Sequence, residues 1–367
     1  MRTGLIALAG LAVAGCSRPP ERPAEATDAS AAVAAPAPTN RAPLPPGFMK
    51  GQLHTHSSGS GDSQTSPVDV QRWYEARGYD FVVFTDHNRI TDTPDSSLLT
   101  IPGAELTRNL QTCEPPPPPG VPCAFHVNVL FATAGEGPVN PGDAQSGDRV
   151  ANYRVAIASA KALGGLAVLN HPNMMSGADS EVVGALAREG LSFLEVGNQA
   201  WDAENAGDAQ RKSTEAIWDA ALAKGFHVFA TATDDAHHYA DAAALRERGK
   251  RPFVGDLGFV VVRAERDAAA IRAAMDRGDF YASTGIVFET HERTATSLVL
   301  VTRAEVDYES VARDGSVTRR EHGTRFEVTL GPQDGPYVRA RARRADGAFA
   351  LTQPVFRRPA SRPQGAP

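Results

Sequence analysis

From Gln52 onward the chain repeats one unit, a short apolar run rich in Val, Phe and Leu followed by a stretch with helical periodicity. The runs fall at 81–84, 127–131, 166–169, 193–196, 226–230 and 259–262. Runs of this length without polar alternation suit strands buried on both faces, as in a parallel sheet. Between them, Ser66 can cap a helix that starts at Pro67, carries Val70, Trp73 and Tyr74 on one face and stops at Gly78. Further helices are expected over 150–163, 180–189, 212–224 and 267–277, each followed by glycine. Repetition of this kind over about 230 residues predicts an α/β fold, either a β/α barrel or a doubly wound sheet. After Ser283 the helical pattern stops. Segments 298–301, 325–330, 337–343 and 349–355 read as short strands, with turn signals at Asp314-Gly315 and Asp346-Gly347. They predict a small antiparallel β-module over 286–358, on the barrel edge or as a separate lobe, before a loose tail at 359–367.

Eight of the ten histidines lie between 54 and 238, and most close one of the apolar runs. In a β/α barrel the residues just past the strand ends converge on one mouth, so distant segments can deliver side chains to one pocket. His54-x-His56 puts two imidazoles on the same face of an extended chain. Two such rings can share a metal ion, and a carboxylate such as Glu105 can bridge a second ion about 3.5–4 Å away. One histidine at a strand end is more often a satisfied polar residue, and His-x-His arises by chance. Six such segments at the same end of successive strands favour metal binding. His227, inside an expected strand, reads as a core or surface residue, and His291 and His322 read as surface residues.

The ordered set His54-x-His56, Asp62, Asp86-His87-Asn88, Glu105, His126, His171-Pro172 and Asp235-x-His237 resembles the motifs of the polymerase-and-histidinol-phosphatase (PHP) family. The resemblance spans about residues 50 to 285 and implies a distorted seven-stranded β/α barrel over 48–285. It implies two or three divalent metal ions, Zn, Mn or Fe. By position, His54, His56, Glu105 and Asp235 would hold one ion, Glu105, His126 and His171 a second, and Asp62, His87 and His237 a third. Some relatives have His where this chain has Asp62. The stretch from Arg277 to Gly285, with the β-module behind it, is similar to a branch that includes carbamate-ester hydrolases.

Such a site implies hydrolysis by an activated water, with no side-chain nucleophile. Asp86 would orient a ligand imidazole or accept a proton. Asn88, Arg89, Arg108 and Asn173 follow ligand motifs and could touch a small-molecule substrate, or serve only their loops. His238 could protonate a leaving group, though it reads first as a solvent-facing neighbour of a ligand. The first reading is a phosphoesterase acting on small extracytoplasmic phosphate esters. The second is a hydrolase of carbamate, ester or amide bonds at the same metals, and the third a non-catalytic metal- or ligand-binding lipoprotein. The chain has no Gly-x-Ser-x-Gly, no phosphate-binding P-loop and no dinucleotide glycine pattern after its first strand.

Net charge is −6 with acids and bases mixed, and no basic run suggests nucleic-acid binding. Residues 1–16 read as a lipoprotein signal. Arg2 precedes an apolar run at 4–15 that is too short to span a bilayer, which needs ~20 residues. Val13-Ala14-Gly15-Cys16 resembles a lipobox, which makes Cys16 the expected lipidation site. Ser17 after it favours the outer membrane, facing the periplasm. Residues 17–47 are Pro/Ala-rich and read as a disordered tether. Cys113 and Cys123 flank a proline run, and in an exported protein they read as a disulfide.

Overall fold

The computed structural model describes residues 43–357 except 95, 118 and 146. Cys16, the signal, most of the tether and the tail therefore lie outside the described residues. The strands are β1 (Phe48–Gln52), β2 (Phe81–Val83), β3 (Arg89–Ile90), β4 (Leu99–Ile101), β5 (Gly103–Leu110), β6 (Cys123–Leu130), β7 (Gly137–Pro138), β8 (Leu166–Leu169), β9 (Phe193–Asn198), β10 (Phe229–Thr233), β11 (Phe259–Arg263), β12 (Phe280–Ser283), β13 (Phe288–Arg293), β14 (Ser297–Ala312), β15 (Ser316–Thr329), β16 (Tyr337–Arg343), β17 (Phe349–Thr352) and β18 (Val355–Phe356). The helices are α1 (Pro67–Glu75), α2 (Arg149–Ala162), α3 (Ser180–Arg188), α4 (Thr214–Ala223), α5 (Ala242–Glu247) and α6 (Ala268–Arg277). Their starts obey local chemistry: Ser66, Asp148, Asp179, Ser213 and Asp267 each accept a backbone N–H of the first turn. The short α5 has no counterpart in the sequence reading.

The α/β expectation holds, but the sheet is mixed. One sheet runs β13-β14-β16-β17-β12-β11-β1-β2-β4, with β15 on β14 and β18 on β16; a second runs β10-β9-β8-β6-β5. β1, β2 and β4 are parallel, as are β8, β9 and β10. β5, β6 and β8 alternate in direction, and β11 is antiparallel to both β1 and β12. Apolar runs report burial on both faces, not direction. The β5–β6 connection has no crossover helix, so it can only return antiparallel.

The sheets share a core of Leu53, Phe81, Val83, Val260 and Phe280 with Leu130, Val168, Phe193 and Phe229. Helices α2, α3 and α4 cover the outer face of the second sheet. The ladders do not close the two sheets into one barrel. At one end, backbone hydrogen bonds join the strand exits, among them Asp235 N to His54 O at 3.0 Å, Thr85 N to Thr55 O at 2.9 Å and Asn88 N to Glu105 O at 2.8 Å.

The C-terminal strands depart furthest from expectation. They are not four short pieces: β14 and β15 are a long hairpin of 16 and 14 residues turning at Asp314-Gly315. Nor do they form a separate lobe, because β17 pairs with β12 and makes the module part of the first sheet. Gln353, just after β17, donates to Ala230 O at 2.8 Å and accepts from Ala230 N at 2.9 Å, so its amide pairs with β10 like a strand. Arg339 of β16 is fully buried against Asp219 and Glu215 of α4. His291 is a correction: it is buried under Tyr281 and Phe288, not on the surface, whereas His322 is exposed. A register shift between Phe288 and Thr290 breaks the simple alternation along β13, so that His291 is buried on the same side as Phe288.

Candidate metal centre

The site is built where β1, β2, β5, β6, β8 and β10 deliver side chains to the hydrogen-bonded end. His54 and His56 leave β1 in extended chain, and their rings lie 5.2 Å apart. On β5 the pleat points Glu105, Thr107 and Asn109 to one side. Three segments turn inward through backbone that side-chain-bearing residues rarely adopt: φ is 50° at Asn88, 21° at His171 and 52° at Asp235. Strain of this kind costs about 1–3 kcal/mol per residue and persists only where surrounding contacts impose it.

Glu105 is the hub. It is buried, and its carboxylate forks. Oε1 lies 3.0 Å from His126 Nδ1, 3.4 Å from His171 Nε2 and 3.6 Å from His54 Nε2. Oε2 lies 2.8 Å from His87 Nδ1 and 3.7 Å from His56 Nε2. Asp235 Oδ1 is the second focus, 3.2 Å from both His54 Nε2 and His56 Nε2. Asp62 closes the outer side, with Oδ2 3.0 Å from His87 Nε2 and 3.3 Å from His237 Nε2. The nine residues expected as ligands thus come together in three groups: His56, Asp62, His87 and His237; His54, His56 and Asp235; Glu105, His126 and His171. Within each group the candidate ligand atoms lie within 4.8 Å of one another. That spacing suits ions bound to imidazole nitrogen at ~2.0–2.1 Å and carboxylate oxygen at ~2.0–2.2 Å.

Whether a cation fits can be tested on two atoms. Nε2 of His54 and of His56 are fully buried and make no hydrogen bond, although Asp235 Oδ1 is close to both. Buried nitrogens and carboxylate oxygens that face one another without bonding are costly unless something between them satisfies their lone pairs. The residues present fit a divalent ion there.

The charges agree. Burial would raise Glu105, but His126, His87 and His54 hold it well below the usual carboxylate range. Asp235 behaves alike, burial being outweighed first by His54. Against the cost of burial, Asp235, Glu195 and Glu105 hold the His54 imidazole well above its ordinary value, and Glu105 and Asp62 push His87 up to about 10. Burial and the neighbouring His237 push His56 down to about 4. Without a cation, the site must import protons to balance its carboxylates.

The outer nitrogens are anchored. His54 Nδ1 lies 2.8 Å from Glu195 Oε1, and His56 Nδ1 is 3.0 Å from Ser60 Oγ. His126 Nε2 meets Asn109 Oδ1 at 3.2 Å, and His237 Nδ1 meets the Asp235 carbonyl at 3.0 Å. Glu195 is the residue the sequence reading missed. It also accepts from His171 N at 2.7 Å, from Asn198 Nδ2 at 2.9 Å and from the Thr233 hydroxyl. Its signal was a carboxylate in the middle of the apolar run at 193–196.

The residues expected in other roles are placed differently. Asp86 orients no imidazole; it accepts from Ser57 N at 2.6 Å, from Ser57 Oγ at 2.7 Å and from the Thr91 hydroxyl, pinning the turn after His56. A Cβ on Gly59 would collide with Asp86 and Thr91. Arg108 lies on the opposite pleat of β5 from Glu105, and Arg89 is exposed on β3. Asn88 exchanges two hydrogen bonds with the Thr107 backbone, and Asn173 donates to Glu204 O and Lys212 O. His238 Nδ1 accepts from Phe253 N at 3.1 Å, which makes it a brace for that segment. Cys113 and Cys123 are paired as a disulfide.

No family model and no curated protein matches the chain. Among solved structures, it is similar to a two-domain protein of Bacteroides vulgatus ATCC 8482 described as containing a predicted PHP-like metal-dependent phosphoesterase. Identity is 20% with a TM-score of 0.46, over 86% of this chain and 97% of that one.

Proposed function

We propose that the chain is a PHP-type metal-dependent hydrolase whose substrates are small phosphate esters. The observation that carries this reading is the forked Glu105 carboxylate among five imidazoles, with the buried Nε2 atoms of His54 and His56 left unbonded beside Asp235. On this reading His54, His56, Glu105 and Asp235 hold one ion, Glu105, His126 and His171 another, and Asp62, His87 and His237 a third. The chemistry that bound divalent ions supply is acidification of water and neutralisation of charge on the attacked group. Asp62 is half exposed, so its group forms the face a substrate meets first. Glu195 fixes the His54 tautomer by accepting from Nδ1, which leaves Nε2 free to ligate. The strand exits joined around the site are read as the mouth of a distorted seven-stranded barrel. The domain is held outside the cytoplasm by lipid on Cys16, through the tether at 17–47.

A second reading, hydrolysis of carbamate, ester or amide bonds, is favoured by one observation: neither Arg89 nor Arg108 reaches the cluster as a phosphate clamp would. The test is turnover by purified protein with Mn²⁺ or Zn²⁺ of aryl phosphates, phosphodiesters, aryl carbamates and aryl acetates. Phosphate ester cleavage is the expected result. Cleavage of only the carbonyl compounds overturns the phosphate assignment, and cleavage of none overturns the hydrolase.

A further inference from the structure

Beside the cluster stands an aromatic wall that the proposed hydrolysis does not use. Phe253 packs with its ring centroid 5.4 Å from ligand His237 and is stacked at 18° on His238. Its backbone is clamped, because His237 N and His238 N both donate to Phe253 O while Phe253 N donates to His238 Nδ1. Trp201 stacks on Phe253, at 5.2 Å and 16°. Trp201 is 45% exposed, one of two large apolar side chains left so open among the described residues. Arg251 leans its guanidinium over the same indole at 4.8 Å. The next residue, Asp202, carries a buried Oδ1 with no hydrogen-bond partner, and it senses the charges of Asp235, His171 and His237. The loop after β9 thus places a partly exposed indole two ring contacts from His237, next to a buried carboxylate oxygen without a hydrogen-bond partner.

Trp201 keeps an exposed indole surface two ring contacts from a candidate metal-ligand histidine. Its exposed surface gains nothing in the free protein, whereas aromatic rings give large, rigid contact area to a ligand. We propose that Trp201, backed by Phe253, is the leaving-group subsite, and that the substrates are esters whose departing alcohol carries an aromatic ring. The inference rests on the hydrolase reading for the bond that is cut, but ring binding does not require turnover.

The test has two arms on the full protein loaded with Mn²⁺. In the first, indole fluorescence is followed as 4-nitrobenzylphosphonate or methylphosphonate is added. Of the other two tryptophans, Trp218 is fully buried, and the signal of Trp73 on α1 is told apart by its persistence in Trp201→Ala. The nitrobenzyl compound is expected to quench and to bind about five- to tenfold more tightly, the size of one aromatic stack. Trp201→Ala should abolish that preference, and Trp201→Phe should restore most of it. In the second arm the ratio of kcat/KM for a 2-naphthyl over an ethyl ester is measured, with phosphates and with acetates. That ratio should fall about five- to tenfold in Trp201→Ala. Equal binding of the two phosphonates by the unaltered protein overturns the subsite, as does a preference that survives Trp201→Ala. If no ester is cut but the quench appears and depends on Trp201, the hydrolase reading fails and the ring subsite stands.

Discussion

Glu195 Oε1 sits 2.8 Å from His54 Nδ1, with both residues completely buried. This carboxylate is not itself in any of the three candidate ligand groups, yet it sets which nitrogen of His54 faces them. Glu195→Gln keeps the volume but weakens the charge-assisted bond. We expect metal affinity and kcat/KM to fall about 10–100-fold, the usual range for losing such a partner, with the fold retained. Metal titration followed by circular dichroism checks both. An unchanged metal affinity would show that Glu195 is only structural.

Glu105 serves both halves of the cluster, so its removal should cost more than one ion. Glu105→Ala is expected to abolish turnover and to lower the metal content of the purified protein by more than His126→Ala does. Elemental analysis per chain decides it; equal losses in the two variants would mean that Glu105 bridges nothing.

The same geometry predicts that metal stabilises the fold. With ligand at about a hundredfold its Kd, binding contributes roughly 2.7 kcal/mol. Chelation should therefore lower Tm measurably, and added Mn²⁺ or Zn²⁺ should restore it. A Tm indifferent to chelator would argue that the imidazoles and carboxylates are content with each other.

His291 gives a pH signature away from the site. Burial, reinforced by Arg263 and Arg293, pushes its imidazole down to about 3. The unfolded chain then binds a proton below about pH 6.5 that the folded chain refuses. Stability is lost as pH falls below that value, by about 2 kcal/mol at pH 5 from this residue alone. His291→Phe should flatten the fall in Tm between pH 6.5 and 5, as measured by thermal melts. An unaltered slope would refute the assignment.

Arg339 is buried with Nη2 2.6 Å from Asp219 Oδ2 and 2.7 Å from Glu215 Oε1, over the Trp218 ring. Removing Asp219 takes away the stronger of the two carboxylate partners of Arg339 and leaves Glu215 alone to offset a charge held in the interior. Asp219→Ala is expected to destabilise the fold by about 3–5 kcal/mol, read by denaturant unfolding.

The nine gathered residues were legible because metal-ligand chemistry needs particular side chains, and strand ends announce themselves by the apolar runs before them. Glu195 was hidden because one carboxylate in an apolar strand reads as an exception to a pattern until its partner is known. The roles given to Asp86 and Arg108 went astray for a different reason. Proximity in sequence to a ligand says nothing about which way a side chain points: Asp86 turns back to Ser57 and Thr91, and Arg108 takes the opposite pleat from Glu105. Strand direction was equally hidden, since the run at 127–131 has the same composition whether it pairs parallel or antiparallel. The joining of β17 to β12 depends on partners some 70 residues apart, and no local pattern encodes that.

The Gln353 amide that occupies the backbone of Ala230 has a consequence for how the molecule is born. A chain made from its N-terminus carries every candidate ligand long before it carries the residue that seals β10. Until then Ala230 must satisfy its N–H and carbonyl with water, at the flank of a half-built interior. A chain cut before Gln353 would hold the right histidines while leaving the backbone of Ala230 to water.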